Sequence, residues 1–301
     1  MANRRHCWVC GSDDTRPFKD RSIHRSLVPQ DFRITDAGYG ATLGLRRCRD
    51  CGFIFADEDD VAELVELYEK LEDPAYEETQ ESRATQMEWL LKRAARLCPS
   101  ARTVLDIGAG AGLLVNLARR AGYDAVGVEP SRWLVDAARR LHQVELLPGT
   151  FPHPALGDRQ FDLIFLVDVI EHVANPLELL HACRDSLTPE GMILLVTPDI
   201  GSLTARCLGH RWWHLRLAHV GYFDRQSLLR LVDRCRLEVV HSCRPTWYFR
   251  LKYVAERLVQ YLPIGWLNRL AERFGPLRRL YDIVVPVNPR DSMLVALRRA
   301  G

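Results

Sequence analysis

A glycine-rich turn near residue 110 carries the clearest chemical signal in this sequence. The residues VLDIGAGAG, ending at Gly112, place Asp106 before three glycines at alternate positions. This pattern is typical of a buried strand that ends in a tight turn and opens into a helix, where missing Cβ atoms let a ligand lie against the backbone. Because Leu113 follows, the spacing is G-x-G-x-G and not the G-x-G-x-x-G of dinucleotide sites.

Two acidic residues narrow the choice of ligand. Asp106 would repel a pyrophosphate, whereas it would attract a ligand with an ammonium and a sulfonium group. The helix that starts after the turn offers backbone N–H groups to a carboxylate. Glu129, in AVGVEPS, ends the next predicted strand and can accept hydrogen bonds from both ribose hydroxyls. A carboxylate, an ammonium, a sulfonium and a free ribose diol together describe S-adenosylmethionine (SAM).

Four cysteines near the N-terminus form two C-x-x-C pairs, each followed by glycine: Cys7, Cys10, Cys48 and Cys51. Four thiolates at this spacing can close a tetrahedral Zn²⁺ site, and a redox pair is the alternative. The 37-residue gap between the pairs predicts an inserted loop at about residues 18–39. A metal with four thiolate ligands has no open position, so we expect a structural zinc that holds a small module together.

Composition excludes several classes of protein. The chain has 301 residues and a net charge of +2, which argues against a general nucleic-acid binder. No stretch of about 18 apolar residues predicts a transmembrane helix. The first ten residues lack an apolar signal core, and nine cysteines without a secretory signal suggest a reducing compartment, so we expect a cytoplasmic protein.

Strands and helices alternate from residue 103 to residue 196, which predicts a doubly wound α/β fold with a mostly parallel sheet. Strand four is expected over Phe161–Val169, a turn over Thr188–Gly191 and strand five over Met192–Val196. Two later strands, at residues 237–242 and 292–297, would form an antiparallel pair at one edge. The expected division is a zinc-ribbon-like module at 1–56, a helical linker or lid at 57–99, and a SAM-binding domain at 100–301 with insertions at about 198–223 and 251–288.

Four motifs in order resemble those of the class I SAM-dependent methyltransferases: VLDIGAGAG, GVEPS, FDLIFLVDVIEHVANP and LTPEGMILLVTP. The cysteine module, ending LRRCRDCGFIF, is similar to that of bacterial members that act on sugars and other small metabolites. The resemblance implies a Rossmann-like seven-stranded sheet with a reversed last hairpin. The predicted cofactor contacts are Asp106, Gly108, Ala109, Gly110, Gly112, Glu129, Pro130, Thr150 and Asp168. The family often has an acidic residue facing the adenine amine, where this sequence offers only Thr150 and Phe151.

Three histidines are candidates on the acceptor side. Methyl transfer from a sulfonium is an in-line displacement, and a base is needed only if the nucleophile starts protonated with a high pKa. His172 follows strand four at the carboxyl edge of the sheet, and His219 lies in the first insertion. We predict these two as catalytic, with His214 a weaker candidate; each could instead be a packing or capping histidine.

The expected acceptor is a small molecule: a sugar, a lipid-linked glycan or a quinone-like metabolite. Two alternatives stay open. The zinc ribbon, with Arg46, Arg47 and Arg49, could dock RNA or a protein, or the chain could be a SAM-binding protein that has lost catalysis. The basic, amphipathic residues 251–288 could form a cap, a homodimer face or a peripheral membrane contact.

Overall fold

The computed structural model describes residues 6–35, 38–57, 61, 64–77, 79–259, 281 and 283–301. Within these residues the strands are β1 Thr15–Lys19, β2 Leu45–Cys48, β3 Ile54–Ala56, β4 Thr103–Ile107, β5 Asp124–Glu129, β6 Leu147–Pro148, β7 Phe161–Val167, β8 Leu187–Pro198, β9 Gly221–Tyr222, β10 Leu237–Cys243, β11 Trp247–Arg250, β12 Val284–Val287 and β13 Ser292–Arg299. The α-helices are α1 Leu64–Glu69, α2 Pro74–Glu77, α3 Gln80–Leu97, α4 Leu113–Arg120, α5 Arg132–His142, α6 Pro176–Asp185, α7 Leu203–Leu208, α8 Arg225–Arg234 and α9 Leu251–Val259.

The central sheet has seven strands in the order β10-β13-β8-β7-β4-β5-β6. The pairs from β8 across to β6 are parallel, whereas β13 is antiparallel to both β8 and β10. The middle strand β7 is buried on both faces, which explains its unbroken apolar sequence. This arrangement confirms the predicted seven-stranded, mostly parallel sheet with a reversed last hairpin.

Two predicted strand limits were wrong. Residues 188–191 belong to β8, which begins at Leu187, and do not form a separate turn before it. They form an irregularity in the pairing with β7, whose register passes from Phe161 opposite Leu187 to Leu163 opposite Met192. A Cβ atom on Gly191 would lie 2.8 Å from the carbonyl oxygen of Phe161, so glycine serves close strand packing there. Strand β7 ends at Val167 instead of residue 169, because Asp168 has a positive φ of 54° and turns the chain out of the sheet.

A second sheet joins the cysteine module to the first insertion. Its strand order is β1-β2-β3-β9, and Ile54 of β3 pairs with Tyr222 of β9. The rings of Phe53 and Phe223, both fully buried, pack with centroids 4.6 Å apart beside this pairing. The module therefore shares one continuous apolar core with the central sheet, and that core reaches Leu105 of β4.

The second insertion is described only in part. Strands β11 and β12 pair as an antiparallel ribbon, and α9 follows β11 directly. Residues 260–280 and 282 lie outside the described residues, so the cap, dimer and membrane interpretations of this segment stay predictions. None of the helices among the described residues is long and apolar enough to cross a membrane.

Candidate functional site

The glycine turn lies at the carboxyl end of β4, in the conformation that its glycines permit. Gly108 and Gly110 have φ angles of +70° and +54°, a region that side chains strongly disfavour. The backbone N–H of Gly108 donates to the carbonyl of Val128 on the neighbouring strand at 2.9 Å. A Cβ atom on Gly108 would lie 2.7 Å from Val169, so this backbone has no room for a side chain.

Glu129 ends β5 beside this turn and binds it directly. Its carboxylate accepts a hydrogen bond from the N–H of Gly110 at 2.8 Å and another from the N–H of Ser131 at 2.9 Å. Burial raises the pKa of Glu129 to about 7, although these two N–H donors act in the opposite direction. The hydroxyl groups of a ribose would donate to the Glu129 carboxylate, whose orientation the backbone already fixes.

Asp106 lies buried in β4, two residues before Gly108. Burial, and then the neighbouring charge of Glu129, raise the pKa of Asp106 to about 8. Two carboxyl groups so placed would gain from a cationic ligand, because a positive charge beside them stabilises both ionised forms. The donor set therefore fits the ammonium and ribose of SAM.

The helices that precede the sheet cover the turn with residues that the sequence did not single out. The hydroxyl of Tyr76 lies 2.6 Å from the position that a Cβ atom on Gly110 would occupy. The guanidinium of Arg83 stacks over the Tyr76 ring at 4.6 Å from its centroid and donates to Thr79 Oγ1 at 3.0 Å. The positive charge of Arg83 also lowers the pKa of Asp168, against the larger effect of burial, which raises it to about 6.

A cavity opens beside the turn at the carboxyl ends of β4, β5 and β7. Five predicted site residues line it: Gly108, Pro130, Thr150, Asp168 and His172. The rest of the wall is mostly apolar or aromatic, with contributions from Phe32, Leu64, Val65, Ile107, Tyr68, Val128, Phe151, Val169, Val173, Leu179 and Ala218. One cavity thus joins the predicted cofactor end to the predicted catalytic histidine.

Five of the nine predicted cofactor contacts do not line this cavity: Asp106, Ala109, Gly110, Gly112 and Glu129. Two of these five pack against other parts of the protein. Gly112 faces the protein interior, where its Cβ position would be 3.0 Å from Ala138 and 3.3 Å from Val144. Its missing side chain lets α4 start close against α5. Ala109 is 8% exposed and packs toward Gly127.

His172 lines the cavity, and His219 packs against it without being part of the lining. Their rings meet edge to face with centroids 4.8 Å apart. The Nδ1–H of His172 is positioned to donate to the carbonyl of Ala218 at 2.7 Å, which leaves Nε2 as an acceptor. Burial lowers the pKa of His172 to about 4 and that of His219 well below its usual range, so both rings are neutral at physiological pH.

Glu171 belongs to the same cluster, although no sequence motif pointed to it as a site residue. Its Oε2 accepts from Thr197 Oγ1 at 3.0 Å, while Oε1 has no partner among the described residues. Burial raises the pKa of Glu171 well above its usual range. Ligand atoms of Glu171, His172 and His219 all lie within 4.8 Å of one another, a set that could also hold a metal ion.

His214 faces away from the cavity lining and toward Asp291. Its Nε2 lies 3.6 Å from Asp291 Oδ2, the same atom that accepts from Trp212 Nε1 at 2.9 Å. Trp212, Tyr222 and Phe223 are buried, so these aromatic residues of the first insertion are packed in the core.

The four cysteines come together as the spacing predicted. Cys7 Sγ lies 3.5 Å from Cys51 Sγ, and Cys10 Sγ lies 3.5 Å from Cys48 Sγ. All four sulfurs are within 4.8 Å of one another. Tetrahedral zinc thiolates at about 2.3 Å place their sulfurs roughly 3.8 Å apart, so this cluster has the size of a zinc site. The Cys51 thiol as donor lowers the pKa of Cys7 to about 5, which favours a thiolate there.

Comparisons with known proteins agree with this geometry. Residues 79–242, just over half of the chain, match a family model described as "Methyltransferase domain". The chain is 36% identical over 94 residues to the ubiquinone biosynthesis O-methyltransferase of Roseobacter denitrificans, which is 30% of this chain and 38% of that protein. It is 28% identical over 151 residues to the enzyme of that name from Azoarcus, covering 47% and 63%.

The matches to these curated relatives therefore span 38% and 63% of their length. Among solved structures, a SAM-dependent methyltransferase from Archaeoglobus fulgidus aligns with 75% of this chain and 100% of its own, at 16% identity and a TM-score of 0.48.

Proposed function

Because this chain belongs to the methyltransferase domain family, we propose that it transfers the methyl group of SAM to a hydroxyl oxygen of a small, largely apolar acceptor. The observation that carries the proposal is the single cavity that runs from the glycine turn to His172. The curated relatives support the choice of oxygen, since they are named as O-methyltransferases.

The cofactor end of the cavity would hold SAM through residues of three elements. Glu129 would accept from the ribose hydroxyls, and Asp106 would lie near the ammonium group. Arg83 is the cation nearest this end on α3 and suits the carboxylate of the methionine part. Thr150 and Phe151, which line the same cavity, stay the candidates for contact with the adenine.

When bound, SAM supplies an electrophilic methyl group that reacts by in-line displacement. His172 would take the proton of the acceptor hydroxyl on Nε2, while Nδ1–H stays bound to Ala218. The freed oxygen would form its bond to the methyl carbon as the carbon–sulfur bond breaks and sulfur keeps the electron pair. His219, packed edge-on, would fix the orientation of the His172 ring.

The cavity wall distinguishes among the predicted acceptors. Phe32, Leu64 and Tyr68 add apolar and aromatic surface to the cavity that His172 lines. Such a wall would bury an aromatic or prenylated ring favourably, whereas a free sugar would lose hydration without enough polar partners. We therefore favour a phenol- or quinol-like acceptor over a sugar or glycan.

The cysteine cluster would hold a structural zinc ion. Four sulfurs at this separation complete a tetrahedral shell, and none of the four thiols lines the methyl-transfer cavity. The zinc would fix β3, which pairs with β9 close to His219.

Transfer of a radioactive methyl group from SAM tests the proposal. We expect label to enter a prenylated hydroquinone or catechol, with less in a free sugar, RNA or a total protein extract. Isothermal titration of the full chain with SAM and its demethylated product provides the independent check. Absence of binding heat for both compounds would remove the proposed function, and methylation of RNA alone would replace the acceptor class.

A further inference from the structure

Two clefts that share Arg47 lie apart from the methyl-transfer cavity, one on the cysteine module and one between this module and the first insertion. The basic cleft, of about 500 Å³, is lined by Arg16, Arg47, Cys48, Arg49, Asp50, Gly52 and Gln226. The apolar cleft, of about 470 Å³, is lined chiefly by Phe18, Ile54, Ile200, Trp212 and Leu215. Arg47 lines both clefts, and no residue of either lines the cavity that holds His172.

The basic cleft concentrates positive charge where the fold does not neutralise it. Arg16 on β1 is directly opposite Arg47 on β2, so both side chains lie on the same face of the sheet. Like charges at directly opposite positions destabilise an antiparallel pair. Three arginines line this cleft against one acidic residue, Asp50.

The neighbouring arginines have acidic partners. Arg46 lies 4.0 Å from Asp57 Oδ1, and Arg49 lies 3.5 Å from a carboxylate oxygen of Asp14. Within the part of the chain that the structure describes, the guanidinium groups of Arg16 and Arg47 have neither a hydrogen bond nor an ion pair. These two side chains are available to an anion from outside.

The floor of the basic cleft keeps the Arg47 guanidinium accessible. Gly52 has a φ of +81°, and a Cβ atom there would lie 3.8 Å from Arg47 Nη2. The same position would be 3.4 Å from Asp224 Oδ2. The other oxygen of Asp224 caps α8 by accepting from the N–H of Ser227, which fixes that carboxylate beside the helix start.

The apolar cleft continues from Arg47 between the sheet and α7. Ile54, Trp212 and Leu215 are buried core residues that present part of their surface to it. Phe18 and His210 form an outer wall, with ring centroids 6.1 Å apart. An aromatic ring or a short hydrocarbon chain would fit such a wall.

We propose that the two clefts bind a small molecule with a phosphoryl group at Arg16 and Arg47 and an apolar or aromatic part in the apolar cleft. Guanidinium groups bind phosphoryl oxygens in pairs, and a phosphoryl dianion balances this charge better than a single carboxylate does. The site is distinct from the methyl-transfer cavity, so it stands whether or not the proposed methyl transfer is correct.

Titration of the full chain with three probes tests the site: inorganic phosphate, geranyl phosphate and thymidine monophosphate. Monophosphates are chosen because they chelate divalent metals less tightly than diphosphates do. We expect at least one organic phosphate to bind more tightly than inorganic phosphate. Its affinity should fall as the salt concentration is raised. The organic probe that binds identifies the source of the phosphoryl group as a lipid-like or a nucleotide-like molecule.

Charge-removing variants make the assignment specific. R47Q and R16Q should each lower the affinity for the organic phosphate about tenfold or more. R120Q, at an exposed position on α4, should leave that affinity unchanged. Without ligand, R16Q should raise thermal stability slightly at low salt, because it removes the like-charge pair; since Arg16 is exposed, this variant should fold. SAM binding should be unaffected in all three variants.

Three results would overturn the proposal. The first is that none of the probes binds, and the second is that R47Q and R120Q weaken binding equally. The third is that single-stranded RNA binds with dependence on Arg16 and Arg47 while the phosphate probes do not compete, which would make this surface a nucleic-acid contact.

Discussion

The rings of His172 and His219 meet edge to face with centroids 4.8 Å apart, and His172 lines the cavity that reaches the glycine turn. His219 Nδ1 has no hydrogen-bond partner among the described residues, whereas His172 Nδ1 is fixed to Ala218. The His172 ring is therefore held by a hydrogen bond that leaves Nε2 as its acceptor, whereas the His219 ring supports it by packing. Their mutual contact leads to the first prediction.

Replacing His172 with Gln should lower kcat by about 10² to 10⁴, the usual contribution of a general base, with little change in the KM for SAM. Because burial places the pKa of His172 at about 4, the ring is already neutral at pH 6, and wild-type kcat at saturating SAM should stay flat from pH 6 to 8. Steady-state kinetics over this range check both statements.

His24→Gln, at an exposed histidine, is the matched control and should keep full activity. A kcat that falls from pH 8 to 6 with a midpoint near 6.5 would place the base elsewhere. Loss of activity on metal removal, restored by Mg²⁺, would instead assign Glu171, His172 and His219 to a metal ion.

Replacing Glu129 with Gln should weaken SAM binding by about tenfold or more, because hydrogen bonds to a charged acceptor contribute roughly 1.5–3 kcal/mol. The amide would also present an N–H₂ group toward the N–H of Gly110 or Ser131, which disturbs the turn itself. Isothermal titration measures the change. The exposed Glu145→Gln serves as control, and equal SAM affinity in both variants would contradict the ribose assignment.

Stability without SAM should fall as pH rises, because two buried carboxyls resist ionisation. The folded-state pKa values of Asp106 and Glu129, about 8 and about 7, lie above their usual values of 3.8 and 4.5. A raised pKa means that the folded form binds protons more tightly than the unfolded form does. The stability that this proton binding contributes is complete below about pH 4 and is lost as the pH rises through 7 and 8. Each group contributes a slope of at most about 1.4 kcal/mol per pH unit.

Urea unfolding at pH 6 and pH 8.5 measures this loss. Asp106→Asn cannot ionise, so its unfolding free energy should fall less over the same interval, whereas the exposed Asp158→Asn should behave like wild type. SAM should restore more stability at pH 8.5 than at pH 6, because its ammonium group favours the ionised carboxylates. A steeper loss in Asp106→Asn than in wild type would refute the argument.

The sequence was most informative where chemistry and local structure coincide. Glycines at positive φ, an acid at a strand end and paired cysteines each require particular residue types, so the methyltransferase family and the seven-stranded sheet were predicted and are confirmed. Tyr76, Arg83 and Glu171 were missed, since their importance arises only when distant elements pack. Strand β9 has two residues, too few for any periodicity, and its pairing with β3 depends on the aromatic contact between Phe53 and Phe223.

Replacing Cys51 with Ser should remove zinc and loosen the acceptor side of the cavity. One zinc ion per chain is expected in wild type, because four sulfurs lie at zinc-site separation. Without the zinc ion, β3 would be held less firmly. The change would also affect β9, because Ile54 of β3 pairs with Tyr222 of β9. The melting temperature should fall by several degrees, at roughly 2–4 °C for each kcal/mol lost. Activity should fall more than SAM affinity, because His219 precedes β9, whereas the glycine turn follows β4 of the central sheet.

Metal analysis, thermal melting and SAM titration on one preparation separate these effects, with the exposed Cys207→Ser as control. Wild-type protein without bound zinc, or a Cys51→Ser variant with unchanged metal content, would remove the structural role assigned to the cluster.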